Sequence, residues 1–173
     1  MSTGTVYWIT GLSGAGKTTI GKIFFEQLRK EKNNVLFLDG DTLREVFGND
    51  LGYTKEERLQ CAMRYSRICR LLSEQGQDVV ICTISMFRVV REWNREHIKN
   101  YKEIYIKVPM EVLQQRNQKN LYKSGNNVVG VDLELELPDN SDIILMNNGE
   151  VSPQKLADDI WGMCNMAKDD NDD

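Results

Sequence analysis

Apolar and polar stretches alternate along this chain in a way that predicts strands and helices in turn. Residues 5–10, Thr-Val-Tyr-Trp-Ile-Thr, are β-branched or aromatic and read as a buried strand. Residues 17–32 then place Ile20, Ile23, Phe24, Gln27 and Leu28 at helical spacing. Val35-Leu36-Phe37-Leu38 is a second short apolar run, and it ends in Asp39-Gly40-Asp41. Residues 48–54 read as a loop. Thr54 followed by Glu57 is a capping box that opens a helix over 55–75. Val79 to Ile84 is a continuous apolar run of the kind found in central parallel strands, and Ser85-Met86-Phe87-Arg88 follows it. The pattern continues with a helix over 88–100, a strand over 104–108 and a helix started by Pro109. It closes with a strand over 143–146 and a helix opened by Ser152-Pro153 that runs to about Ala167. Strands alternating with helices predict an α/β fold, a doubly wound parallel sheet of five strands with helices on both faces. The 173 residues suit one domain, 1–168, with 169–173 as a frayed acidic tail.

The link between the first strand and the first helix carries the chemistry. Gly11, Gly16, Lys17 and Thr18 satisfy the phosphate-binding pattern G-x-x-x-x-G-K-[ST]. The glycines let the backbone turn tightly and aim its N–H groups at phosphate oxygens. Lys17 can neutralise phosphate charge, and the Thr18 hydroxyl can ligate Mg²⁺. The helix that follows points its positive end at the anion. A bare glycine-rich turn would share these residues. The strand before and the helix after are the context that the motif demands, so a P-loop NTPase fold that binds ATP and Mg²⁺ is expected.

In open α/β sheets, ligands bind at the carboxyl ends of the strands. Asp39 and Asp41 sit at that end of the second strand, and Ser85 follows the third. Asp41 can either cap the next helix or face the nucleotide. Arg44 lies three residues on, on the same side of that helix. Arg58 and Arg64 are candidates to clamp an anionic substrate; otherwise the arginines at 58, 64, 67 and 70 form a solvated cationic face. The polar, irregular stretch of about 116–138 carries Arg116, Lys119 and Lys123 and suits a lid that closes on phosphates.

Composition narrows the function. A formal net charge of −4 gives no electrostatic case for nucleic acid or membrane binding. No run approaches a membrane span, and the N-terminus lacks a signal-peptide pattern. Cys61, Cys69, Cys82 and Cys164 form no CxxC pair and read as free core thiols of a cytoplasmic protein. The single histidine, His97, lies on a charged helical stretch, which excludes a histidine metal site or a Ser-His-Asp triad. The guanine-reading N-K-x-D of regulatory GTPases is absent. The small size and the expected lid favour a small-molecule kinase.

Several separated motifs resemble one family, the adenylylsulfate (APS) kinases, which transfer the γ-phosphate of ATP to a nucleotide's ribose 3′-hydroxyl. They are Trp8-Ile-Thr-Gly-Leu-Ser-Gly-Ala-Gly-Lys-Thr-Thr19, Leu38-Asp-Gly-Asp41 with Arg44, Asp50-Leu-Gly-Tyr53 with Arg58, Ile84-Ser85, and Lys119 with Leu121-Tyr122-Lys123. The resemblance runs from Val6 to about Pro138. It implies that Gly11, Ser13, Gly14, Ala15, Gly16, Lys17, Thr18 and Thr19 hold ATP and that Thr18 and Asp41 serve Mg²⁺. It implies that Asp41, Lys17 and Ser85 are the catalytic group, with Asp41 accepting or orienting the 3′-hydroxyl. Arg44 and Arg58 would hold the acceptor's phosphate portion, beside Asp39. Arg116 and Lys119 would act from the lid. Dimers are common in the family, so a homodimer is compatible with the resemblance.

The departures from the family pattern cluster on the acceptor side. Tyr53 replaces a phenylalanine and can still stack on a base. Cys61 replaces an asparagine and cannot offer its amide hydrogen bonds. Met86 and Phe87 replace a Pro-Tyr pair after Ser85. Val128 replaces the second aromatic wall, and losing such a stack costs about 1–3 kcal/mol. An intact donor side with a rebuilt acceptor side most resembles the cytidine diphosphoramidate kinase branch, whose smaller pyrimidine needs less stacking surface. A true APS kinase that has drifted is the alternative. A nucleotide-binding module without catalysis is a third reading, disfavoured by the intact phosphate loop and Asp39-Gly40-Asp41.

Overall fold

The computed structural model describes residues 2–117 and 136–169. Most of the expected lid, and the tail beyond 169, therefore lie outside the described residues. The element order is β1 Val6–Thr10, α1 Lys17–Glu31, β2 Val35–Asp39, α2 Gly40–Val46, α3 Lys55–Glu74, β3 Asp78–Thr83, α4 Arg88–His97, β4 Tyr101–Lys107, α5 Met110–Asn117, β5 Ile143–Met146 and α6 Pro153–Asp169. The strands form one parallel five-stranded sheet, as the alternation predicts, and the structure adds their order, β2-β3-β1-β4-β5.

Period-two alternation divides β1 between two cores. Tyr7 and Ile9 join Ile20, Phe24 and Leu28 of α1 and Leu156 and Ile160 of α6 on one face. Val6 and Trp8 join Ala62, Tyr65 and Cys69 of α3 and Val90 of α4 on the other. A strand buried on both faces has no polar side, which is why its sequence is a continuous apolar run. Each large side chain buried this fully contributes about 1.5–3 kcal/mol. The four cysteines are buried, as expected, and form no disulfide among the described residues. No helix among the described residues is long and apolar enough to cross a membrane.

Two boundaries differ from the sequence pattern. α4 ends at His97 rather than residue 100, and β4 starts at Tyr101 rather than 104. The reason is Glu103, a charged residue that is 1% exposed inside β4. Tyr101 and Ser141 donate hydroxyl hydrogen bonds to its carboxylate at 3.0 and 2.8 Å, and Arg95 lies 3.5 Å away. A buried carboxylate needs such partners, and they come from β4 itself, from α4 and from Ser141 before β5.

The order β2-β3-β1-β4-β5 also makes β1 and β3 the switch point. The chain after β1 returns along one face through α1, while the chain after β3 crosses the other through α4. The loops following these two strands therefore open a crevice at the carboxyl edge, where such sheets bind ligands. α1 approaches that edge closely. A Cβ on Gly21 would lie 2.3 Å from Cys82 Sγ and 3.4 Å from the Ile9 side chain. Gly21→Ala is therefore expected to destabilise the fold by about 1–3 kcal/mol in urea unfolding. Adding Cys82→Ala should recover part of that loss, read as a favourable coupling in a double-mutant cycle.

Candidate active site

The turn from β1 into α1 adopts backbone angles that favour glycine. Gly14 has φ 82° and Gly16 has φ 89°. Gly16 is the N-cap of α1 and supplies no side-chain cap, and no acidic residue occupies the first helical turn. The first N–H groups of a fifteen-residue helix are thus left for an anion. The turn is braced from behind. Asn147, buried just after β5, donates its side-chain amide to the Ala15 carbonyl at 2.9 Å. Arg116 on α5 donates to the Gly14 carbonyl at 2.6 Å. Gly11 packs against the Ile106 backbone, and Ala15 is fully buried, so these two motif residues shape the loop from inside. Ser13, Gly14 and Gly16 to Thr19 face the crevice.

Lys17 donates its ammonium to the Leu12 carbonyl at 2.9 Å, held along the loop that it serves. Burial pushes its pKa down to about 8, opposed by Cys82 and by the carboxylates of Asp41 and Asp39. A phosphate placed here would supply the charge that burial removes.

The two aspartates divide their work differently from the simplest expectation. The cap of α2 is Asp39, not Asp41: one Asp39 oxygen accepts the Asp41 backbone N–H at 3.0 Å. The other accepts the Thr18 hydroxyl at 2.8 Å. Asp39 reaches this position because it ends β2 in extended backbone, the usual N-cap conformation. Asp41 is left exposed to the crevice. Thr18, Asp39 and Asp41 offer one hydroxyl and two carboxylates, all hard oxygen donors. Among the described residues no group of three His, Cys, Asp or Glu side chains forms a ready metal cage. This donor set fits Mg²⁺, which is typically held by one or two carboxylates together with phosphates and water.

The crevice in front of the loop is one cavity of about 490 Å³ that continues to α3. Arg44, Tyr53, Arg58, Cys61, Met86 and Phe87 line it, with Ser85 at its junction with the phosphate loop. Arg44 donates to the carbonyls of Leu51 and Gly52, both at 3.0 Å. Arg58 donates to the Tyr53 carbonyl at 3.1 Å. Arg64, the other expected clamp, is not part of the lining. It makes a bidentate pair with Asp50 at 2.7 and 2.8 Å, which holds Asp50 below the usual carboxylate range. The 48–54 loop brings that carboxylate to it, so Arg64 anchors the loop. Ser85 has φ 32°, unusual for a residue with a side chain, and shares a 2.6 Å hydrogen bond with the Thr83 hydroxyl. Lys119, Leu121 and Val128 lie outside the described residues.

Sequence reasoning missed Asn147, Tyr65 and Glu136. The signal for Asn147 was present: a polar Asn-Asn-Gly directly after the last apolar strand, on the ligand edge. Tyr65 lines the cavity and donates its hydroxyl to the Gly40 carbonyl at 3.0 Å, which ties α3 to the start of α2. Glu136 accepts the Arg88 backbone N–H at 2.9 Å, capping α4 next to Phe87. No local pattern marks that long-range cap.

Known proteins share this architecture and its motifs. The model of the adenylylsulphate kinase family matches residues 3–146. The chain belongs to the adenylylsulphate kinase family. Its family relatives include the cytidine diphosphoramidate kinase of Campylobacter jejuni, 42% identical over 148 residues, 83% of this chain and 86% of that protein. The adenylyl-sulfate kinase of Halothermothrix orenii is 37% identical over 160 residues, 89% of this chain and 86% of that protein. The fold matches that of the Mycobacterium tuberculosis APS kinase solved with AMPPNP and APS, with a TM-score of 0.85 at 24% identity, over 95% of this chain and 99% of that one. As a member of the family, the protein is a phosphotransferase with an alcohol group as acceptor.

The depressed lysine makes a pH prediction. Lys17 neutralises phosphate only in its ammonium form, which the free protein loses as pH rises through about 8. The bound phosphate favours the charged form, so the complex holds its proton to higher pH. Affinity for AMPPNP, measured by calorimetry, should therefore fall above pH 8 with a slope approaching tenfold per pH unit. Lys17→Met should bind more weakly and lose this limb.

Proposed function

We propose that the protein transfers the γ-phosphate of ATP to the ribose 3′-hydroxyl of a nucleotide, and that the nucleotide is cytidine diphosphoramidate. The observation that carries this reading is the continuous crevice from an intact phosphate loop to an acceptor wall in which Cys61, buried and cavity-lining, stands where APS-binding relatives offer an amide. The likeness to the Campylobacter jejuni cytidine diphosphoramidate kinase supports the same acceptor. On this reading the enzyme works in the cytoplasm, in capsule biosynthesis.

The residues divide the reaction among them. The loop N–H groups and Lys17 hold the β- and γ-phosphates of ATP. Thr18, with Asp39 and Asp41, would hold Mg²⁺, which supplies charge neutralisation on those phosphates when bound. Arg44 and Arg58 hold the anionic end of the acceptor. Asp41 orients the 3′-hydroxyl and takes its proton as the 3′-oxygen bonds to the γ-phosphorus. The bond from that phosphorus to the β–γ bridging oxygen breaks, and ADP leaves. Positioning and charge stabilisation account for most of the rate in such transfers.

One observation favours a second acceptor, adenylylsulfate: Tyr53 keeps an aromatic ring where the family stacks a purine. A coupled ADP-release assay with both acceptors at equal low concentration separates the two. A higher kcat/KM for cytidine diphosphoramidate is expected, and a preference for adenylylsulfate would replace the first reading by the second. Asp41→Asn should lower kcat at least tenfold while AMPPNP affinity stays within about twofold. Wild-type turnover in that variant would remove Asp41 from catalysis.

A further inference from the structure

Tyr65 lies one turn after Cys61 on α3 and is 3% exposed, yet it lines the crevice. A buried tyrosine hydroxyl needs a partner. The partner here is backbone: the hydroxyl donates to the Gly40 carbonyl at 3.0 Å. Burial and then neighbouring Cys61 push the Tyr65 pKa up, with Arg44 opposing and the Asp41 carboxylate adding to the rise. The hydroxyl therefore keeps its proton and remains a donor.

The Gly40 carbonyl belongs to the peptide that joins Gly40 to Asp41. The N–H of that same peptide, on Asp41, donates to the Asp39 carboxylate at 3.0 Å. A peptide is planar, so hydrogen bonds on its two sides fix the plane and with it the Cα of Asp41. Asp39 is itself held by the Thr18 hydroxyl at 2.8 Å. Gly40 also sits against the end of β3, where a Cβ would lie 3.3 Å from Thr83 Oγ1 and 3.5 Å from the Cys82 carbonyl oxygen. These ties matter because α2 has seven residues, and a helix that short does not hold itself. Among the described residues no hydrogen bond or ion pair fixes the Asp41 carboxylate, so its place is set by its backbone.

We propose that Tyr65 is a positioning residue for Asp41. Its hydroxyl and the Asp39 carboxylate lock the Gly40–Asp41 peptide from opposite sides, which presents the Asp41 carboxylate to the crevice at one fixed place. Tyr65 thus lines the acceptor cavity but spends its hydroxyl on the backbone behind the reacting groups. The proposal rests on the role of Asp41 in the reaction given above.

The test removes the hydroxyl and keeps the ring. Tyr65→Phe should lower kcat about fivefold to tenfold, with cytidine diphosphoramidate or adenylylsulfate as acceptor, and leave the KM for ATP within about twofold. In an Asp41→Asn background the same change should alter kcat by less than about twofold, because the carboxylate that it positions is gone. Amide hydrogen exchange over residues 40–46 should rise about fivefold to tenfold in Tyr65→Phe. Thermal protection by ADP checks that each variant is folded. Wild-type kcat in Tyr65→Phe, an equal fold loss in both backgrounds, or unchanged exchange over 40–46 overturns the proposal. The exchange measurement needs no acceptor. If Asp41→Asn keeps wild-type turnover, or no nucleotide stimulates ADP release, the reading of the reaction falls, and the exchange result alone decides whether Tyr65 holds this peptide.

Discussion

The structure depends on a stretch of backbone that cannot satisfy itself. Between β1 and α1 the chain turns through two residues of positive φ and leads into the first N–H groups of α1, which no side chain caps. Such a turn holds its shape only if its carbonyls are tied down elsewhere. Asn147, just after β5, and Arg116, on α5, do this, reaching Ala15 and Gly14 across more than one hundred residues of sequence. The donors then point outward, preorganised for phosphate, and need little rearrangement when it arrives. The sheet order provides the rest: β1 lies between β3 and β4, so the turn is supported on both sides.

Charge at this edge is arranged as a balance waiting for a ligand. Lys17 is desolvated, and its pKa is lowered by that burial despite the nearby carboxylates. Asp39 is fixed by the Asp41 N–H and the Thr18 hydroxyl. Across the crevice, Arg44 donates to neutral carbonyls and lies over the Tyr53 ring. Cations on both walls with carboxylates between them suit two anionic substrates that meet at a metal and an exposed carboxylate. The division of the aspartates follows from position: Asp39 is drawn into structure by its place as cap, which leaves Asp41 exposed to the crevice.

Much of this was legible in the sequence, for physical reasons. The fold follows from alternation, because strands buried on both faces must be apolar throughout and the helices between them must show one apolar stripe. The phosphate loop follows from its glycines and its context. The capping box at Thr54 and Glu57 is local, and it appears as read. The features that were not legible are those built from distant partners. Glu103 looks like a solvent-facing residue until Ser141, 38 residues on, and Arg95 of α4 meet its carboxylate, and so the apolar pattern starts β4 later than the structure does. Arg64 looks like a substrate clamp until Asp50 occupies it. Asn147 and Glu136 act on backbone groups far away in the chain, and residue type alone does not reveal such a target.

The two halves of the site are also built from different materials, and this explains how one can change without the other. The donor half is backbone geometry plus one lysine and one threonine. A substitution there alters the turn itself and is felt by every substrate. The acceptor half is made of side chains from a loop and one face of α3: Tyr53, Lys55, Arg58 and Cys61 are held by a capping box and an Arg64–Asp50 pair that lie off the cavity. Exchanging one of these side chains changes the shape and hydrogen bonding offered to the acceptor and leaves the supporting contacts in place. On the proposed reading Cys61 is such an exchange. It is buried on α3 between Arg58 and Tyr65, and a thiol there fills space that an amide would use for hydrogen bonds to a base. The anionic tail is common to both candidate acceptors, so its cations can be retained while the base-facing wall changes. Selectivity for a different nucleotide then requires only side-chain replacement along α3 and its loop, on a donor site that stays the same.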